Sequence, residues 1–391
     1  MTTTIAEGSE ARVALDAAES PVDAPSRFSP ATLLKTYGSL VGIALLALVL
    51  LVWAPSSLTA FRLGNLAKYC TWAIAAVGIG LAWGRGGMLV LGQGVFFGLG
   101  GYIMAMHMKL EAAGPDNVPD FMVLYGDATM PAWWEPFRSG LFTLFAIIAL
   151  PASVSFILGY AVLKRRVKGA YFAILTQAMA VAFSTLLIAT IKQTGGFNGL
   201  NTFTTVFGQN LYDPTVKKNL YMVAAGLLIF CMLIAWQLYR SRYGELLVAT
   251  RDAEERIRFL GYDPANIKLV AFVAAAIMAS VGGALFAPIA GIISPSNVDA
   301  SASILLLAGV ALGGRASLFG AAVGAIAVGY WQSTLSEQFP TQWTYFQGAL
   351  FIVVMLFLPG GIASLWRKLT AALPRRSAGV DLTTSEPEMV T

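Results

Sequence analysis

"RDAEERIRFLGYDPANIKLVAFVAAAIMASVGGALFAP", residues 251–288, changes character half-way. Arg251 to Arg258 hold six charged side chains in eight positions, whereas Leu269 to Pro288 hold none. A helix needs about 20 apolar residues to cross a hydrocarbon core about 30 Å thick. The second half therefore reads as a membrane span, and the first as charged sequence outside the bilayer. Asp263 followed by Pro264 supplies a helix cap and a first-turn residue where one gives way to the other.

The rest of the chain repeats the apolar half. Of 391 residues, 57% are hydrophobic and 12% charged, with 39 glycines and 9 tryptophans. The mean hydropathy of +0.69 lies outside the range of soluble domains. This predicts an all-α polytopic membrane protein. Apolar segments fall at 36–54, 66–84, 88–108, 140–163, 169–191, 219–239, 267–291, 298–314, 316–335 and 342–363, about ten transmembrane helices. The 298–314 segment is short and rich in Gly and Ala, so a re-entrant element is the other reading. The expected organisation is a disordered tail over 1–33, a transmembrane body over 34–366 and a polar tail over 367–391. A long mixed-charge tail before the first apolar run argues for an uncleaved first span.

Charge fixes the sides. Lys164, Arg165, Arg166 and Lys168 form one basic cluster. Arg240, Arg242, Arg251, Arg256, Arg258 and Lys268 form a second, and Arg367, Lys368, Arg375 and Arg376 a third. Excess Lys and Arg in short loops marks the cytoplasmic side. The loop 110–138, with Glu111, Asp116, Asp120, Asp127 and Glu135 against Lys109 and Arg138, suits the outside. Ten crossings satisfy all of these, with both termini cytoplasmic. The net charge of +5 is thereby explained by topology rather than by nucleic acid.

Apart from His107, near a span end, the interiors of the ten spans hold no Asp, Glu, Lys, Arg or His. Proton relays and many ion-coupled carriers place such groups in the membrane, where they are costly and functional. A proton-driven carrier is disfavoured; sodium sites built from carbonyls and hydroxyls stay open, and if the protein pumps, its energy enters from outside the bilayer. Gly80/Gly84, Gly94/Gly98, Gly309/Gly313 and Gly320/Gly324 are G-x-x-x-G pairs suited to close helix contact. Gln93 and Gln177 are candidate pathway groups, with interhelical hydrogen bonding as their simpler role. His107 reads as an interfacial residue, and it cannot build a metal site alone. Cys70 and Cys231 lie in apolar runs and read as buried small hydrophobes. A weak echo links "GRGGMLVLGQGVFFGLGG" (84–101) with "GGRASLFGAAVGAIAVG" (313–329).

The stretch 245–261 predicts a helix on the cytoplasmic surface. Leu246, Ala249, Ala253, Ile257 and Leu260 recur at spacings of three and four, an apolar stripe. Arg251–Glu255, Asp252–Arg256 and Glu254–Arg258 are i,i+4 pairs, and Gly261 stands where a C-terminal cap belongs. Its functional reading is a docking helix for a motor subunit; its simpler one is a solvated connector.

"SRYGELLVATRDAEERIRFLGYDPANIKLVAFVAAAIMASVGGALFAP" (241–288) resembles the corresponding stretch of branched-chain-amino-acid-type ABC importer permeases. "KGAYFAILTQA" (168–178), "GFNGLNTF" (196–203), "GIISPSNVDASASI" (291–304) and "LGGRASLFGAAVGA" (312–325) fit the same family. "GQGVFFGLGGYIMAMHMKLE" (92–111) and "PDFMVLYG" (119–126) resemble the second membrane subunit of its urea transporters. Gln93 departs from the family's usual His, and Ala316 from its usual Gly. The resemblance implies an inner-membrane permease subunit that imports a small polar solute, urea first, with branched-chain amino acids or short amides as the alternative. It implies as partners a homologous permease, two cytoplasmic ABC ATPases, an extracytoplasmic solute-binding protein and membrane lipids. Ala249, Arg251, Asp252, Glu254, Glu255, Arg256 and Gly261 are the implied ATPase contact. No cofactor or catalytic residue is expected in this chain: it has no G-x-x-x-x-G-K-[ST] phosphate loop, so ATP would be used by the partners. A passive channel for a small neutral solute is a further reading.

Overall fold

The computed structural model describes residues 30–126, 129–167, 169–315, 317–339, 341–357 and 361. Residues 1–29 of the expected 1–33 tail, the expected tail over 367–391, the third basic cluster, Lys168 and Ala316 lie outside them, whereas residues 30–33, expected in the tail, begin a helix. The chain separates into a unit ending at Leu45 and one running from Leu46.

The described chain is helical. We name α1 Pro30–Leu48, α2 Ala60–Ile79, α3 Gln93–Ala113, α4 Gly140–Lys164, α5 Ala170–Ala189, α6 Pro214–Arg240, α7 Arg242–Asp252, α8 Glu254–Phe259, α9 Pro264–Ala290, α10 Ala300–Gly313, α11 Leu318–Gln338 and α12 Trp343–Phe357. Turns of π-helix extend α1 over Val49–Trp53 and α2 over Gly80–Arg85. Among the described residues eight helices are long and apolar enough to cross a membrane. They match the expected spans except 88–108 and 342–363. Gln93, His107 and Lys109 lower the hydropathy of α3, and α12 is described over only 15 residues.

Both α6 and α9 begin with the same Asp-Pro device. Asp213 accepts from the Thr215 amide (2.8 Å), and Asp263 from the Ala265 amide (3.0 Å). Proline at the first helical position leaves no orphan donor there.

α9 is the central helix, packed on α2, α3 and α4. Phe272 meets Phe96 of α3 and Phe172 of α5 edge-on, each 5.6 Å between ring centres. Such pairs add directional packing to the burial of area. α4 and α5 are peripheral, with Phe145, Ile157, Tyr171 and Ile174 facing outward. Of the four G-x-x-x-G pairs, Gly309/Gly313 and Gly320/Gly324 face one another across α10 and α11. A Cβ at Gly313 would stand 1.7 Å from the Gly320 carbonyl oxygen, so only glycine lets the backbones touch. Gly94/Gly98 admits Val298, whereas Gly80 has only an ordinary contact with Ala321.

Several sequence expectations change. Lys68 belongs in α2, nine residues into the helix, with its ammonium 5.3 Å from the Trp72 ring centre. Thus an ionisable group does lie inside an apolar helix, held at a ring face. His107 is buried rather than interfacial, its Nδ1 2.8 Å from the Phe137 carbonyl oxygen beneath the connecting segments. Lys109 is buried too, paired with Asp120 at 2.9 Å. Cys70 and Cys231 are buried free thiols. The echo between 84–101 and 313–329 is a helix break followed by a Gly-rich helix in both segments, with gaps of unequal length. The first segment leaves the helix at Gly86 and resumes it only at Gln93, whereas α11 begins at Leu318, a few residues after α10 ends.

Candidate functional site

Two places stand out: a break in the backbone deep within the helices, and a charged element at the end of the molecule that carries Lys164, Arg165, Arg166 and Lys268.

The break lies before α3. Residues 87–90 are neither helix nor strand, yet Met88 and Val90 are buried. Non-helical backbone within a bundle needs partners other than its own helix. Gly87 and Met88 donate to the carbonyls of Trp83 and Ala82, and the Leu91 amide donates to Thr176 Oγ1 of α5 (3.2 Å). α3 then starts at Gln93. Its Nε2 donates to the Ala275 carbonyl at 2.7 Å, about 16 Å along α9 from Pro264. Beside it the Gly94 amide donates to Ser303 Oγ of α10 (3.0 Å).

α10 is interrupted in the same way. Ile292–Ile293 (β4) pairs with Leu200–Asn201 (β1), a single turn follows at Pro295–Asn297, and α10 starts at Ala300 under an Asp299 cap. The only other paired strands are Thr205–Val206 (β2) and Gln209–Asn210 (β3) among the described residues. Val298 abuts Gly94 and Gly98. Two helices running in opposite directions therefore begin close together, half-way along α9. Broken helices whose positive ends converge inside a bundle are a feature of solute sites in transporters.

Gln93 is fully buried, and its Oε1 accepts no hydrogen bond. Leaving a buried acceptor unpaired costs about 1–3 kcal/mol. The carbonyl therefore stands ready for a donor. Gln177, the second pathway candidate, is half-buried on α5 next to Thr176, one residue away from this point. Sequence reasoning singled out Gln93 but not Thr176 or Ser303, whose hydroxyls look like ordinary helix residues until the chain brings them beside the start of α3.

At the basic end, the expected single helix over 245–261 is two. α7 stops at Asp252, Ala253 takes φ −149° and ψ 66°, and α8 follows. The break leaves one of the three expected i,i+4 pairs in place, Arg258–Glu254 at 3.3 Å. Arg251 instead grips Asp252 (2.7 and 3.2 Å), and its Nη1 donates to the Gly84 carbonyl at 2.7 Å. Its stem lies over Gly87. That hydrogen bond to Arg251 holds the Asp252 carboxyl below its usual value. Glu254 turns toward α9 and pairs with Lys268 at 2.7 Å. Glu255 pairs with Arg258 at 2.9 Å, and Arg256 is exposed.

The apolar stripe is also redistributed. Leu247, Thr250 and Ile257 are buried, Ala249 and Ala253 half-buried, and Leu260 is turned outward. α8 ends in a Schellman closure: Tyr262 donates to Ile257, Gly261 to Arg258, and Gly261 has φ +87°. This turn projects Phe259, Leu260 and Tyr262, 90%, 71% and 51% exposed. An apolar cluster rimmed by charge marks an interaction surface. Residues 259, 260 and 262 are not among the seven positions of the sequence-level contact set, in which Leu260 counted only as one member of an apolar stripe.

Residues 62–358 match the family model for the permease component of branched-chain amino acid transport systems. The chain belongs to this family. It is 29% identical over 318 residues to the high-affinity branched-chain amino acid transport permease protein LivM of Escherichia coli, covering 75% of this chain and 68% of that protein. It is 26% identical over 308 residues to BraD of Pseudomonas aeruginosa, covering 75% and 91%. A shorter match, 26% over 152 residues, covers 37% of this chain and 46% of the autoinducer 2 import permease LsrC of Photorhabdus luminescens. No solved structure matches the chain. The matched region holds both broken helices and the whole of α7 and α8. The chain is a multi-pass membrane protein of a permease family, and its place is the inner membrane.

Proposed function

We propose that this chain is the membrane-spanning permease subunit of an ABC importer that carries a small polar solute, urea in the first place, into the cytoplasm. Separate ATPase subunits power it, a homologous permease completes the pathway, and an extracytoplasmic binding protein delivers the solute. The basic end faces the cytoplasm.

The observation that carries this reading is the tie between its two sites. Phe259, Leu260 and Tyr262 offer an apolar contact to an ATPase, and Arg256 and Glu255 flank it. Arg251, on α7 just before α8, holds the Gly84 carbonyl in the last π-helical turn before the non-helical segment. Gln93 lies nine residues beyond Gly84. Closure of the motor pair on ATP would move α7 and α8, and the Arg251 tie would carry the displacement to the start of α3. Alternating access follows if that shift exposes the Gln93 carbonyl to one side and then to the other.

The chemistry around Gln93 favours a neutral solute rich in N–H donors. Thr176, Ser303 and the Ala275 carbonyl offer hydrogen bonds and no fixed charge. Urea or a short amide can satisfy a carbonyl acceptor without a counter-ion. The family and its LivM and BraD relatives favour the second reading, a branched-chain amino acid, whose charged termini would need compensating dipoles from the two helix starts.

Uptake of radiolabelled urea and leucine by a deletion strain carrying this chain decides between them. Urea accumulation that excess leucine leaves unchanged supports the first reading; leucine accumulation alone replaces it with the second. Uptake of either solute that persists without ATP would favour a passive channel.

A further inference from the structure

A cleft of about 220 Å³ opens at the basic end, between the C-terminus of α4 and the start of α9. Lys164, Arg166, Arg258 and Lys268 line it, against Glu254 and Asp263. The cleft thus carries four cationic side chains and two anionic ones. Three of the cations are occupied: Lys164 pairs with Asp263, and Lys268 and Arg258 share Glu254 at 2.7 and 3.3 Å. Arg166 is different. Its side chain makes no ion pair among the described residues, and its backbone has φ +59°, a conformation that favours glycine. That conformation closes α4, with the Arg166 amide donating to Leu163 and the Val167 amide to Val162, and it sets the Arg166 side chain at the rim of the positive cleft.

A second feature leads to the same place. Phe156 and Tyr160 stack on the outward face of α4, 6.0 Å between ring centres, both exposed. Lys164 continues this line, its ammonium 5.6 Å from the Tyr160 ring centre. Phe156 and Tyr160 make an apolar ridge that ends in the Lys164 ammonium, about 12 Å along α4 in all, where it meets the cleft. α4 is a peripheral helix with apolar side chains turned outward along its length, the surface an acyl chain covers.

We infer that this cleft binds the phosphate of an anionic phospholipid, with an acyl chain lying along Phe156 and Tyr160. Phosphate oxygens suit the unpaired Arg166 guanidinium and the shared Lys268 and Arg258. Because Glu254 and Arg258 belong to α8, a bound lipid would brace that element against α4 and α9. The site is independent of which solute the protein carries.

The test uses the full chain in nanodiscs of phosphatidylcholine with phosphatidylglycerol, and measures the lipid retained after detergent exchange by native mass spectrometry. Wild type should retain phosphatidylglycerol over phosphatidylcholine. Arg166→Gly keeps the backbone conformation and should lower that retention about five-fold, the worth of one cation at an anionic surface. Arg165→Gln removes a neighbouring charge that does not line the cleft, and should leave retention unchanged. Excess inorganic phosphate should not displace the lipid. Equal retention by Arg166→Gly and wild type would overturn the proposal, as would an equal loss in Arg165→Gln. Full displacement by inorganic phosphate would assign the cleft to a free anion instead. Unchanged lipid with loss of ATPase co-purification in Arg166→Gly would assign it to an acidic side chain of the ATPase; either result overturns the lipid site.

Discussion

Removing the Arg251 guanidinium breaks two contacts, one to Asp252 and one to the Gly84 carbonyl. A hydrogen bond to a charged group is worth about 1.5–3 kcal/mol, here toward the low end because Arg251 is partly exposed. Arg251→Ala should therefore lower Tm by a few degrees. The larger effect belongs to transport: uptake should fall about ten-fold or more while the ATPases still co-purify, since the Phe259–Tyr262 cluster is untouched. Normal uptake by this variant would remove Arg251 from the coupling route. Gln93→Leu tests the other end. It removes an acceptor that is buried and unpaired along with the bond to Ala275, so stability should change little, whereas solute uptake should be lost. Retained uptake with a native Tm would make Gln93 a packing residue only. Asp263 gives a pH test. Its hydrogen bond from Lys164 holds the carboxyl below the ordinary 3.8, so the pair stabilises the fold above that pH. The contribution disappears as pH falls through the depressed value. Lys164→Gln should flatten the acid limb of a Tm-against-pH curve, modestly because both groups are partly exposed.

Elements were legible where one local device decides them. Asp263–Pro264 starts α9, Gly261 closes α8, and apolar length gives the spans; each signal is stronger than its competitors. The break at Ala253 was not legible. The two i,i+4 pairs that are lost, Arg251–Glu255 and Asp252–Arg256, are together worth only about 0.4–1 kcal/mol. They yield to the Arg251 bond to Gly84 and the Glu254 bond to Lys268, both to residues distant in sequence. The start of α3 was hidden for a related reason. "MLVL", residues 88–91, is as apolar as a span, and only contacts to α2 and α5 hold it out of the helix. Helix contacts carry their own prediction. Gly313→Ala forces α10 from α11 and should cost about 1–3 kcal/mol, seen as a lower Tm in detergent. Gly226→Ala, in α6 with nothing within 4 Å, should be neutral or stabilising by about 0.5–1 kcal/mol. Similar losses in both would show that the close approach of α10 and α11 is unimportant.

For the whole molecule, the arrangement separates tasks by position. The interior offers hydrogen-bonding groups at two helix starts, and the basic end offers a contact surface with a direct tie to one of them. The sequence displayed the charged element and the apolar spans but not their connection, because Arg251 and Gly84 are 167 residues apart. The central claim is that motion enters at α8 and leaves at α3. Its most direct test is ATP-driven accumulation of the identified solute in proteoliposomes holding the whole transporter, comparing wild type with Leu260→Asp. Leu260 is exposed and bears on no internal packing, so the variant should insert and fold normally. The account predicts loss of both accumulation and ATPase association in Leu260→Asp. Accumulation equal to wild type, with the ATPases still bound, would contradict it.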